Sequence, residues 1–142
     1  MQLKGQQPRF IYLLSVAHRR VEAAIEREGV GMTAARAGLL LALQPDREVP
    51  MLALGQMLSL GAPAMSGLIE RTIKSGLAKR RRDDNDGRAW LVSLTPAGVK
   101  MRVEVAEGAR KLNTALTEGF TQEELAIAAR WLESVRRPPN FE

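Results

Sequence analysis

"LGQMLSLGAPAMSGLIERTIKSGLAKRRRDDNDGRAWLVSLTPAG", residues 54–98, carries two helical patterns, a break and a charged hairpin in that order. With three preceding residues it reads as a short helix, a break at Gly61, and a second helix with Pro63 in its first turn, where a missing N–H costs nothing. That is helix-turn-helix spacing. Met65, Leu68, Ile69 and Ile73 recur at helical spacing and are read as packing. Gly76 ends the second helix. "LAKRRR" and "AWLVSL" are then two short strands around "DDNDG", whose Asn, Asp and Gly suit a turn with unusual backbone angles.

Outward from this segment the chain is helical. From Pro8 to about Glu28, Phe10, Leu13, Leu14, Ala17, Val21, Ala24 and Ile25 recur at three- and four-residue spacing, a long amphipathic helix closed by Gly29 and Gly31. Thr33 can cap a second helix ending near Pro45, with Leu39, Leu40 and Leu43 inward. Thr95-Pro96 starts a long helix reaching about Glu118, and "FTQEEL" starts the last one, Thr121 and Glu124 having capping-box spacing. The expected fold is mainly α with a small β-hairpin (α+β), one domain over 1–142. It divides into a winged helix-turn-helix lobe at 33–95 and long terminal helices at 8–28 and 96–136.

Composition narrows the chemistry. The chain has 142 residues, no cysteine and one histidine, which removes thiolate nucleophiles and leaves little for a zinc site. No run of eighteen apolar residues reads as a membrane span, and "MQLKGQQPRF" lacks a signal-peptide core, so a cytoplasmic protein without membrane contact is expected. Net charge is +5, and its distribution is uneven. Between Gly61 and Arg88 stand Arg71, Lys74, Lys79, Arg80, Arg81, Arg82 and Arg88 against Glu70, Asp83, Asp84 and Asp86, which favours an anionic partner. There is no Cys-His or Ser-His-Asp arrangement, phosphate-cradling glycine motif or metal-ligand cluster, so neither enzyme, cofactor nor metal is expected.

The order of elements, and above all the wing, resembles the MarR family of transcriptional regulators over nearly all of the chain. The resemblance rests on Asp83, Asp86-Gly87-Arg88, Leu91, Val92 and Leu94-Thr95-Pro96-Ala97-Gly98. It implies that Arg88 is a wing-tip arginine for the minor groove and Asp86 the carboxylate that orients it. Physically, one arginine held out on a turn can enter a narrow, negative A·T-rich minor groove where a helix cannot. A carboxylate two residues away can hold the guanidinium by paired hydrogen bonds. The plainer reading of the same residues is a solvated surface pair.

The presumed recognition helix, Ala62 to Ser75, departs from the family pattern, offering Gly61, Ala62, Pro63, Ala64, Met65, Ser66 and Gly67 where relatives present several polar side chains. Ser66 can hydrogen-bond a base edge and Ala64 or Pro63 can touch a thymine methyl, but none is bidentate, so specificity leans on DNA shape. Arg71 and Lys74 suit phosphate. Because side chains alternate along a strand, two of the four strand bases, Arg80 and Arg82, are taken toward DNA. Charge guarding a strand edge is the alternative for each. Arg36 is a further phosphate candidate.

The terminal helices carry more apolar surface than a small winged helix buries, which points to a homodimer. The resemblance implies that Phe10, Ile11, Leu14, Leu125, Trp131, Leu132 and Val135 contribute to its interface, with packing in a monomer core the alternative for each. It also implies a small-molecule site between the dimer helices and the DNA-binding lobe, with Tyr12, Ser15, His18, Met32, Arg36 and Met101 as candidate lining. His18 reads equally as a boundary residue. A phenolic or lipophilic effector, or none, is left once cysteine-based peroxide sensing is excluded. The functional expectation is a sequence-specific regulator of double-stranded DNA, a repressor acting on a pseudo-palindromic operator. A winged helix using its basic hairpin on an acidic protein partner is the alternative.

Overall fold

The computed structural model describes residues 8–28 and 31–136. Nine elements follow in order: α1 (Phe10–Glu28), α2 (Ala34–Ala42), β1 (Val49–Pro50), α3 (Met51–Leu58), α4 (Ala62–Lys74), β2 (Ala78–Arg82), β3 (Trp90–Leu94), α5 (Pro96–Leu116) and α6 (Gln122–Arg136). This is the expected α+β winged-helix arrangement. Gly29 lies outside the described residues, and Gly31 takes the left-handed backbone, φ 75°, that glycine adopts without steric cost.

The strands form one antiparallel sheet in the order β1-β3-β2. The hairpin register runs from Ala78 opposite Leu94 to Arg82 opposite Trp90, and β1 adds Val49 opposite Val92. The sequence reading did not foresee β1. Two residues give no alternation to detect, and Pro50 at once becomes the N-cap of α3. The second helix also ends earlier than expected, at Ala42, because Leu43 turns to extended backbone ahead of Pro45. Arg102 of α5 closes that end, its Nε and Nη2 donating to the carbonyls of Leu40 and Leu41 at 3.0 and 3.1 Å.

The core lies between α2, α3, α4 and the sheet. Leu39, Leu40 and Leu43 meet Leu54, Met65, Leu68, Ile69, Leu77, Val92 and Leu94, with Val105 from α5. Thr72 is fully buried, and its hydroxyl donates to the Leu68 carbonyl at 2.7 Å, so no polar group is stranded there. The junction of β3 and α5 is a close fit. Thr95 caps α5, accepting from the Gly98 N–H at 3.0 Å, and donates to the Gly76 carbonyl at 2.6 Å. Gly98 passes the Leu77 carbonyl so closely that a Cβ would collide with it. Thr95 and Gly98 of the Leu-Thr-Pro-Ala-Gly run thus join hairpin to helix.

α6 stands apart from this core, while α1 reaches it through Ile25. α6 buries no residue, and Phe10 and Trp131 pack ring to ring at 4.7 Å between centroids. Arg136 donates to the Met57 carbonyl at 2.7 Å, tying the end of α6 to α3. Among the described residues no single helix is long and apolar enough to cross a membrane.

Candidate nucleic-acid interface

The turn between α3 and α4 depends on one left-handed residue. Ser59, φ 53° and ψ 45°, caps α3, while the Leu60 N–H returns to the Gly55 carbonyl at 2.9 Å. The chain bends by 108° between the two helices, within the helix-turn-helix range. α4 buries Met65, Leu68, Ile69 and Thr72, leaving Ala62, Pro63, Ala64, Glu70, Arg71 and Lys74 exposed. Ile73, the fourth residue read as packing, is half-buried against the core. Arg71 folds back along the helix, its Nη1 3.1 Å from where a Gly67 side chain would begin. A glycine there gives the guanidinium room to lie toward the helix N-terminus.

The wing turn is built by its own acids. Asp83 Oδ1 accepts from the Asn85 N–H at 3.0 Å, and Asp86 Oδ1 from the Arg88 N–H at 3.1 Å. This corrects one expectation: the Asp86 carboxylate holds the backbone of Arg88. Among the described residues no ion pair joins it to the guanidinium. A short side chain reaches an N–H two residues on without ordering a long flexible partner, so the turn satisfies Asp86 first. The Arg88 side chain is exposed.

Alternation along β2 sorts the basic run. Lys79 and Arg81 share one face, Arg80 and Arg82 the other. Arg81 is paired, donating to both Glu48 carboxylate oxygens at 2.8 and 3.1 Å, with Asp84 at 3.4 Å. The Glu48 hydrogen bond is the main reason its guanidinium is held above its ordinary pKa. Arg80 and Arg82 lie over the Trp90 ring, 4.5 and 3.9 Å from its centroid. Arg82 also donates to the carbonyls of Gly87 and Arg88.

Two concave surfaces gather six of the eight candidate DNA residues, and Ala64 and Arg82 line neither. Ser66, Asp86 and Arg88 line one with Trp90, between the start of α4, α3 and the wing. Arg71, Lys74 and Arg80 line the next, with Lys79 and Glu70. Ala64 sits on the exposed first turns of α4. Arg36 donates to the Ser75 hydroxyl at 3.2 Å, at the far end of α4.

The candidate effector lining is not brought together in the chain. An apolar cavity of about 180 Å³ lies between α1, α2 and α5, lined by Ile25, Met32, Ala37, Leu41, Val105 and Leu112 among others. Of the six candidates only Met32 reaches it. Tyr12, Ser15 and His18 are exposed on α1, with His18 3.2 Å from Glu22 and the Ser15 hydroxyl on the Ile11 carbonyl. Met101 packs against the core, and Arg36 points to α4. The periodicity of α1 located its apolar stripe but not which part of it faces α5.

Of the expected interface residues, Ile11 is 86% exposed, Phe10, Leu132 and Val135 are about half exposed, and Leu14, Leu125 and Trp131 are half-buried. Residues the sequence reading passed over are Trp90, Arg102 and Arg136. An aromatic opposite a strand arginine was the visible signal for the first; the others needed three-dimensional placement.

No family model matches the chain, and no curated protein matches it. Solved structures do. A probable transcriptional regulator from Pseudomonas aeruginosa is 28% identical, with a TM-score of 0.81 over 89% of this chain and 96% of that one. The PcaV transcriptional regulator from Streptomyces coelicolor, in complex with its natural ligand, is 18% identical with a TM-score of 0.84 over 95% of this chain and 96% of its own. A mutant MarR from E. coli complexed with operator DNA is 22% identical with a TM-score of 0.78, covering 87% and 91%. The chain shares the winged-helix fold of these structures, MarR among them.

Proposed function

We propose that this chain is a sequence-specific, double-stranded DNA-binding transcriptional regulator. It acts as a cytoplasmic homodimer on a pseudo-palindromic operator, as a repressor, without enzymatic activity or cofactor. The observation that carries the reading is the shared concavity in which Ser66 of α4 and Arg88 of the wing face one space. Beside it lies a second surface with Arg71, Lys74 and Arg80. A helix start that offers small side chains, next to cations on one side and an exposed arginine on the other, matches major-groove entry with phosphate and minor-groove contacts around it. The solved MarR-type neighbour bound to operator DNA supports the same use of the fold.

The apolar cavity between α1, α2 and α5 is suited to a small phenolic or lipophilic effector, and a ligand-bound neighbour supports that part of the proposal. Gel-shift titration against random and A·T-rich duplexes at two salt concentrations tests the function. Tighter binding to A·T-rich duplex, weakening as salt rises, is expected. No shift on either duplex at low salt would return the basic hairpin to an acidic protein partner.

A further inference from the structure

The face of the hairpin that begins in the core ends in a stack. Along β3 it runs Leu94, Val92, Trp90, and along β2 Ala78, Arg80, Arg82, with each pair directly opposed. The first two pairs hold buried Leu94, Ala78 and Val92, and the third places the Arg82 guanidinium 3.9 Å from the Trp90 ring centroid. At the ring a cation is favoured by the quadrupole. From there Arg82 Nη1 reaches the Gly87 carbonyl at 3.1 Å and the Arg88 carbonyl at 3.3 Å.

The consequence falls on Arg88. Its N–H is held by Asp86 Oδ1 and its C=O by Arg82 Nη1, so both backbone polar groups of this one residue are tied while its side chain stands exposed. The geometry points to Arg82, seated on Trp90, as a positioning residue for the wing: it fixes the peptide from which Arg88 projects and does not itself neutralise a phosphate. This rests on the DNA-binding reading and revises one residue of it. Arg82 commits Nη1 to the turn carbonyls and one face to the ring, and it lines neither of the two concave surfaces that hold Arg71, Lys74 and Arg88. Arg80 shares the ring at 4.5 Å but lines the surface with Arg71 and Lys74, and it keeps the phosphate role. Lysine at 82 would preserve charge without the planar stack and forked donors.

The test uses the full chain with Arg82→Lys, Arg82→Ala, Arg80→Lys, Trp90→Phe and Trp90→Leu. Each is titrated with duplexes bearing A·T-rich or G·C-rich wing sites across a salt series, and amide exchange is followed at Arg88 and Ala89. Arg82→Lys should lose about tenfold on A·T-rich wing sites and little on G·C-rich ones, with unchanged salt slope and faster exchange in the turn. Arg80→Lys should shift binding to both duplexes alike, leaving the A·T-rich preference and the exchange in the turn as in wild type. Trp90→Phe should keep most of the preference and Trp90→Leu should lose it. Arg82→Lys binding like wild type, with Arg82→Ala lowering the salt slope by about one on both duplexes, would make Arg82 a phosphate contact and overturn the proposal. If the wild-type chain binds neither duplex, the DNA-binding reading fails. The exchange measurement then decides the clamp alone, unchanged exchange in Arg82→Lys overturning it.

Discussion

Arg88 is anchored through its backbone and exposed at its side chain, a combination that serves entry into a narrow groove. On the proposed DNA-binding reading its loss should cost about 1–3 kcal/mol per half-site, mostly on A·T-rich wing sites, because an arginine in the minor groove responds to groove width. Lys74→Ala should instead weaken all duplexes alike and lower the salt slope by about one unit. Asp86→Ala should behave as a milder Arg88→Ala, acting through the released N–H. Titration of both duplex types across salt separates the three, and equal losses for Arg88→Ala on both would reduce it to a phosphate contact. The Asp86 to Arg88 spacing was legible in sequence, but spacing is the same whether the carboxylate meets guanidinium or peptide. Only placement decides that. Gly98 is the counterpart in the core, where Gly98→Ala sets a Cβ against the Leu77 carbonyl and Leu94. We expect a loss of about 3 kcal/mol, read as a melting temperature lower by roughly 10 °C.

Helix ends account for much of what sequence could and could not tell. Thr95 was recognisable as a cap, and its second bond to Gly76 was not, because it crosses 19 residues. Thr95→Ala should therefore cost about 1–2 kcal/mol in chemical denaturation, with Thr95→Ser largely restoring it. The α6 capping box was fully legible: the Thr121 N–H donates to Glu124 Oε1 at 3.0 Å, and the Glu124 N–H to Thr121 Oγ1 at 3.1 Å. The bond from the Thr121 backbone holds the Glu124 carboxyl below its ordinary 4.5. A carboxyl depressed in the folded state adds stability that is complete above 4.5 and is lost as pH falls through the lowered value. Circular dichroism between pH 6 and 3 should show acid loss of helix that is smaller in Glu124→Gln. By contrast α2 ended early and β1 went unseen, since their limits are set by Arg102 and Val92 from distant parts of the chain.

At the scale of the molecule, apolar side chains along α1 and α6 look outward. Ile11, Leu13, Ile127 and Leu132 are each about half exposed or more, more than scattered surface residues explain. Sedimentation at micromolar concentration should give a homodimer, and a species of only 15.6 kDa would defeat it. Removing residues 121–142 should lower both dimer content and solubility by exposing the α1 partners of α6. Two subunits with one α4 each should protect a pseudo-palindrome with half-sites about 10 bp apart, and footprinting without inverted symmetry would count against it. The order of elements was readable because helical period, glycine breaks and the charged turn are local signals. The apolar cavity was not, because its walls come from three helices whose relative rotation no local pattern records.

The two tryptophans divide the chain optically. Trp90 lies under guanidinium groups in the wing, while Trp131 lies against Phe10 where the terminal helices meet. Trp131→Phe leaves an emission that belongs to the wing and should change when duplex is added. Trp90→Phe leaves one that belongs to the terminal helices and should change on dilution through subunit dissociation. The two single-tryptophan variants therefore need no attached dye for the proposed duplex binding and subunit association to be followed separately, by intrinsic fluorescence alone.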